Sequence, residues 1–183
     1  ILQALPLAES GAADRFGLTD EELALACASH NGQAEHARTA ASMLSKAGLD
    51  DSVLECGAHA PYDEAAKLDL AVAGRTPSAL HNSCVMAGER EPRDFLRGYV
   101  NAEHALMREV TAAVASATGC ALGKAPMGID GCSIPTFGVA LTRLAHAMAR
   151  VATGQGLTPG RAAARAPRRE GVSAAALMFV GGG

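Results

Sequence analysis

The pattern of apolar and polar positions predicts a chain built mainly of short helices. Thr19-Asp20-Glu21-Glu22 has the form of a capping box, with Thr19 as cap and Glu22 returning a bond to its amide. The residues that follow, Leu23-Ala24-Leu25-Ala26-Cys27-Ala28, are apolar almost all round, which predicts a short buried helix. Ser29-His30-Asn31-Gly32 is a turn signal. A second helix is expected from Ala34 to Ala47, with Ala37, Ala40, Ala41 and Leu44 on its inner face and Gly48 as its stop. Leu49 to Leu54 predicts one helical turn, His59-Ala60-Pro61-Tyr62 a loop, Asp63 to Ala73 a helix, and Gly74-Arg75-Thr76-Pro77 a turn.

In the second half, Asn101 is the expected cap of an amphipathic helix that turns Leu106, Val110, Ala113, Val114 and Ala117 inward and ends at Gly119. Pro126 to Phe137 is rich in Gly and Pro and reads as irregular. A last helix is expected from Gly138 to Thr153, burying Leu141, Leu144, Ala145, Met148 and Val151 before Gly154. Beyond it, Pro159 to Arg169 changes to Ala, Arg and Pro, with Arg161, Arg165, Arg168 and Arg169 close together; like charges and prolines predict a solvated tail. Ala174 to Val180 fits one more helix or strand.

Composition narrows the class. With 183 residues, 49% apolar and 19% charged, the chain can form a globular core of its own. Alanine takes the place of aromatics, which make up 3%, and this favours helices. A net charge of −3 without a basic face speaks against nucleic-acid binding, and no apolar run has the length of a membrane span. The start, Ile1-Leu2-Gln3, lacks both an initiator Met and the charged region of a signal peptide, so residues are expected upstream. The five cysteines are odd in number and include no C-x-x-C, which predicts reduced thiols in the cytoplasm, with Cys27, Cys56 and Cys120 simply buried.

Two segments concentrate reactive side chains. Gly128-Ile129-Asp130-Gly131-Cys132 sets a carboxylate and a thiol two apart between glycines, in a loop expected to lead into a helix whose N-terminus would favour an anion or a thiolate. Leu80-His81-Asn82-Ser83-Cys84 groups four polar or reactive side chains after a proline turn. Cys84 and Cys132 are candidate zinc ligands, but a stable site needs a third or fourth, such as His81 or Asp130. Ser29-His30-Asn31 is a third polar cluster, whereas His36, His59, His104 and His146 read as surface or boundary residues.

Taken in order, these segments resemble a known family. Gln3-Ala4-Leu5-Pro6-Leu7, Ser10 to Asp14, Leu23 to His30 with Gly32, Pro77 to Cys84, Gly98-Tyr99-Val100 and Gly128 to Phe137 follow one another as in the bacterial L-asparaginase II family, the Rhizobium-type, thermolabile asparaginases. The resemblance covers roughly residues 1–155, leaving 156–183 as a tail. It implies an α/β (α+β) sandwich related to serine β-lactamases and glutaminases, a homodimer, and hydrolysis of L-asparagine to L-aspartate and ammonia. It also implies a Ser-x-x-Lys nucleophile and base, and zinc held by two cysteines and a lysine. By motif, Cys132 and Cys84 match the zinc cysteines, Asp130 the acidic residue beside the first, and Ser29 a second active-site serine region. Ser29 and Asp130 are thus the catalytic candidates, with His30, His81, Asn82 and Asp130 as substrate contacts.

The departures from the family are specific. The Ser-x-x-Lys would fall just before Gln3, and Cys84 runs into Val85-Met86-Ala87-Gly88 where the family has Ser-Gly-Lys-His-Ala-Gly. Cys84 therefore matches either the ligand or a later cysteine, and Gln33 stands where Glu is usual. The expectation is an asparaginase-type fold that hydrolyses asparagine poorly or not at all as written. The alternative is a non-catalytic helical remnant, or a partner-binding module, of the same fold.

Overall fold

Thr19 opens helix α3 (Asp20–Ala26) as the sequence predicts: its hydroxyl accepts from Glu22 N at 3.3 Å, and Glu22 Oε2 accepts from Thr19 N at 2.7 Å. The computed structural model describes residues 2–82 and 96–157. Before α3 lie a helical turn at Leu2–Ala4 and the short helices α1 (Leu5–Glu9) and α2 (Ala12–Arg15). After it come α4 (Ala34–Lys46), a turn at Asp51–Val53, α5 (Glu64–Val72), a turn at Ala79–Asn82 and α6 (Ala105–Thr118). Strands β1 (Met127–Ile129) and β2 (Pro135–Phe137) and helix α7 (Leu141–Thr153) complete the described chain. The class is helix-rich with one small sheet, and among the described residues no helix is long and apolar enough to cross a membrane.

Four apolar clusters join these elements. Ala24 and Leu25 of α3 meet Ala40, Met43 and Leu44 of α4. Leu7, Ala12, Ala13 and Leu23 tie α1 and α2 to α3. α6 serves two clusters: Leu106, Met107 and Val110 pack with Cys56, Tyr99, Cys132 and Ile134, while Ala113 and Ala117 pack with Leu2, Leu5 and Ala147. Each large apolar side chain so buried is worth about 1.5–3 kcal/mol.

Several local expectations are corrected. The inner face of α4 carries His36, Ala40, Met43 and Leu44, so it is rotated from the alanine stripe and takes in a histidine that reads as a surface residue. The cap of α6 is His104, whose Nδ1 accepts from Leu106 N at 3.2 Å; Asn101 instead turns the segment before it, accepting from Glu103 N at 2.9 Å. Pro126 to Phe137 is ordered as an antiparallel hairpin, with Met127 opposite Phe137 and Ile129 opposite Pro135. On α7 only Ala147 is buried; Leu141 is 79% exposed, Leu144 39% and Met148 37%. The small Ala147 lets α7 lie close to α6, and Arg150 Nη1 caps the end of α6 by donating to Ser116 O and Ala117 O at 3.1 and 2.9 Å.

A buried charge fastens α3 to α4. Glu22 is 3% exposed and accepts from Lys46 Nζ at 2.7 Å and from Ser42 Oγ at 2.8 Å; Lys46 Nζ also donates to Gly17 O. Burial opposes the charge of Glu22, but the bonds from Lys46, the Thr19 amide and Ser42 outweigh it and hold the carboxyl below its ordinary value of 4.5. A lowered folded-state value means the stabilisation is fully present above pH 4.5 and lost as pH falls through the lowered value. Glu22→Gln is therefore expected to destabilise the fold by about 2 kcal/mol at neutral pH. Denaturant unfolding at neutral pH and in acid checks this: the gap between wild type and variant must shrink in acid, and a constant gap refutes it.

Candidate functional site

The candidate residues come from three places in the chain: the 29–33 loop after α3, the turn at Ala79–Asn82, and the tip of the β1–β2 hairpin. The hairpin tip is a tight turn in which Ser133 N donates to Asp130 O at 3.0 Å and Asp130 N to Ile134 O at 3.1 Å. Ser133 closes it at φ +68°, the sole positive φ outside glycine among the described residues. This turn with a left-handed last residue is a known short hairpin connection. A serine there costs about 1 kcal/mol relative to ordinary backbone, and such strain gathers at functional sites.

Within the tip, Asp130 Oδ1 accepts from Cys132 N at 2.7 Å and from Cys132 Sγ at 2.6 Å. Asp130 itself is exposed, and Oδ2 has no hydrogen-bond partner among the described residues. Cys132 is 9% exposed and belongs to the Tyr99–Met107–Ile134 cluster. Because β2 follows the tip, Cys132 is not at the start of a helix; the expected assistance of a helix N-terminus to its thiol is absent.

Asn82 links the second segment to the first. Its Nδ2 donates to Gly131 O and to Cys56 O, each at 2.9 Å. The two motifs singled out in the sequence are thus adjacent in space. His81 turns the other way: it is 8% exposed, and its Nδ1 accepts from Ser78 N at 3.0 Å, with Ser78 Oγ 3.1 Å away. Cys84 lies outside the described residues.

The third segment reaches the second through Gly32. At φ +75°, Gly32 packs so tightly that a Cβ would stand 2.9 Å from His81 O and 3.0 Å from the Pro61 Cα. Only glycine meets both the conformation and the close approach. His30 Nδ1 accepts from Gly32 N at 3.1 Å, and the His30 ring stacks on His36 at 4.8 Å between centroids. His36 Nδ1 in turn accepts from Gln33 N at 3.2 Å. Ser29 is exposed, and its hydroxyl has no bonding partner among the described residues.

Three further participants are not among the site residues expected from the sequence, although Tyr99 falls in a family motif, Cys56 is expected to be buried and Asp63 to begin a helix. Tyr99 is 8% exposed, and its OH accepts from Glu55 N at 3.0 Å; burial, reinforced by the nearby Cys56 and Glu55, pushes its phenol up to about 12, so it stays protonated at neutral pH. Cys56 supplies the carbonyl that Asn82 grips. Asp63 both caps α5, accepting from Ala66 N at 2.7 Å, and accepts from Gln33 Nε2 at 3.1 Å. Cys27, at the end of α3, is half-buried, and burial pushes its thiol up. For zinc, Asp130 and Cys132 are adjacent donors, but among the described residues no three His, Cys, Asp or Glu side chains converge as a metal site. These residues alone do not fit a closed tetrahedral centre.

The helical frame thus presents an aspartate and a buried thiol on a hairpin braced by an asparagine. The chain belongs to the L-asparaginase II family, whose model matches residues 1–178. At family level it stands among the asparaginase-like amidohydrolases. The match continues past residue 155, where the recognisable motifs stop. No curated protein matches the chain.

Asn82→Ala leaves the carbonyls of Cys56 and Gly131 without their donor. The expected result is a loss of about 2 kcal/mol and faster amide hydrogen exchange across the 127–137 hairpin, read by mass spectrometry. Unchanged exchange there means the hairpin does not depend on Asn82.

Proposed function

We propose that this fold binds L-asparagine at the hairpin tip and belongs to an enzyme that hydrolyses its side-chain amide to L-aspartate and ammonia. The observation that carries the reading is the Asn82–Gly131 bond, which brings two family motifs together. Asp130 Oδ2 is the group open to the substrate ammonium, and the Ser29 hydroxyl is open to a second polar contact. His30 Nδ1, His81 Nδ1 and Asn82 Nδ2 hold partners within the protein, so any substrate contact by these three residues falls to their other polar atoms. Hydrolysis further needs a nucleophile and a base. The 183 residues contain no Ser-x-x-Lys, so positioning and electrostatics are what they supply by themselves. The same reading carries the β-lactamase-like sandwich and the homodimer implied by the resemblance. Zinc enters no step of it.

Ammonia release from L-asparagine by the purified 183-residue protein tests the proposal's catalytic half. Turnover far below that of a family member carrying the Ser-x-x-Lys is expected; comparable turnover overturns the statement that these residues supply only positioning and electrostatics. Binding is tested separately by calorimetry: asparagine should bind, and Asp130→Ala should weaken it by about tenfold or more.

The exposed face of α7 favours a second reading, a non-catalytic module that pairs with another copy of itself. Leu141, Leu144 and Met148 recur at helical spacing and remain uncovered among the described residues. Light scattering after size exclusion should then show a dimer that Leu141→Glu converts to monomer. A wild-type monomer rules this reading out.

A further inference from the structure

The cleft between α4 and α5 is lined by His81 and by no residue of the 127–137 hairpin. It is a half-open cavity of about 560 Å³, inside the range of roughly 300–1,000 Å³ typical of small-molecule sites. Ala37, Ala41, Ala66, Leu70 and Leu80 give it apolar walls, and Ser78 and His81 line it as well. Its charged lining is Glu35, Arg38, Asp63, Asp69 and Arg75.

Most of these charges are already engaged. Glu35 and Arg38 pair at 3.5 Å. Both oxygens of Asp63 accept hydrogen bonds, from Ala66 N and Gln33 Nε2. Arg75 and Asp69 are different: among the described residues neither side chain has an ion pair or hydrogen bond. They also do not pair with each other, so the two heads stand more than 4.0 Å apart in one cleft. The backbone that carries Arg75 is fixed. After α5, Gly74 at φ +63° lets Arg75 N donate back to Leu70 O at 2.8 Å, and Gly74 N to Ala71 O at 3.1 Å.

Arg75 and Asp69 are both exposed at the rim of the cleft. One unengaged cation and one unengaged carboxylate beside apolar walls complement a molecule with one carboxylate, one ammonium and an apolar body. We infer that the α4–α5 cleft is a binding site for a free α-amino acid, with Arg75 on its carboxylate and Asp69 on its ammonium. A guanidinium can hold a carboxylate through two parallel bonds, and the aspartate answers the ammonium. A dicarboxylate would set its second anion against Asp69, and a diamine its second cation against Arg75. The walls of Leu70, Leu80 and the alanines favour an aliphatic side chain. The site is separate from the hairpin tip and stands or falls independently of asparagine hydrolysis. It shares with the tip the turn at Ala79–Asn82, which sends His81 to the cleft and Asn82 to the hairpin.

Ligand-observed NMR with L-leucine, 4-methylpentanoate and isoamylamine tests this on the full chain. L-leucine should bind with a Kd on the order of millimolar, and each half-ligand at least about tenfold more weakly. Arg75→Ala and Asp69→Asn should each weaken leucine about tenfold, with circular dichroism melts confirming that both variants fold. Asp130→Ala should leave leucine binding intact. Failure of L-leucine to bind overturns the proposal. So does a half-ligand binding equally well, or leucine binding that survives Arg75→Ala but not Asp130→Ala.

Discussion

The side-chain amide of Asn82 is the constraint on which the candidate site depends. A primary amide has two donors, and here they are divided between carbonyls far apart in sequence, Cys56 and Gly131. Cys56 and Cys132 belong to one apolar cluster with Tyr99 and α6. Asn82 therefore works at the edge of an already packed region, where it sets the position of the hairpin tip relative to the turn at Ala79–Asn82. The Cys56 carbonyl is part-buried and the Gly131 carbonyl exposed, so loss of the amide costs most at the Cys56 end, where water is less able to replace it.

Backbone geometry enforces the same arrangement from the other side. Gly32 lets the 29–33 loop touch His81 O and Pro61, an approach that any side chain would prevent. Asn31 O then accepts from Tyr62 N at 2.8 Å and Asp63 N at 3.2 Å, joining that loop to the start of α5. The loop, the turn and the hairpin thus form one connected series. Its last member, Ser133, sits in a conformation that its own chemistry disfavours. Asp130, which bonds both the amide and the thiol of Cys132, holds that turn closed.

Helix stops and the Thr19 cap are legible because they are local, although the cap of α6 falls on His104 and not on Asn101. The Thr19 box and the stops at Gly48, Gly119 and Gly154 need only neighbouring residues. Faces were less legible because burial is decided by partners distant in sequence. His36 is fully buried since its ring stacks on His30 and its Nδ1 meets the Gln33 amide, so a polar residue occupies an inner position that hydrophobic counting assigns to alanine. Leu141, Leu144 and Met148 err the other way: a clear apolar stripe predicts a buried face, yet the neighbour on α6 meets Ala147 instead. The hairpin was hidden because β1 is short, exposed and interrupted by Gly128. The proximity of the two motifs rests on Asn82, and no spacing rule connects residues 82 and 131.

The polar side chains of the site divide by what they have left to offer. Asn82, His30 and His81 each commit one polar atom, Nδ2 or Nδ1, to the protein itself, which fixes the orientation of the side chain. Asp130 is intermediate: Oδ1 is committed to Cys132, while Oδ2 is open toward solvent. Ser29 is exposed, and its hydroxyl is unengaged among the described residues. Such a division suits recognition more than bond breaking. A carboxylate fixed through one oxygen gains direction for the other, because its rotation is already stopped before a ligand arrives. Amide hydrolysis would draw on that preorganised carboxylate but still require a nucleophile with its base. On the proposed reading, what the hairpin, the glycine contact and the Asn82 amide together keep in place is the orientation of the amino-acid amide, not the breaking of its bond.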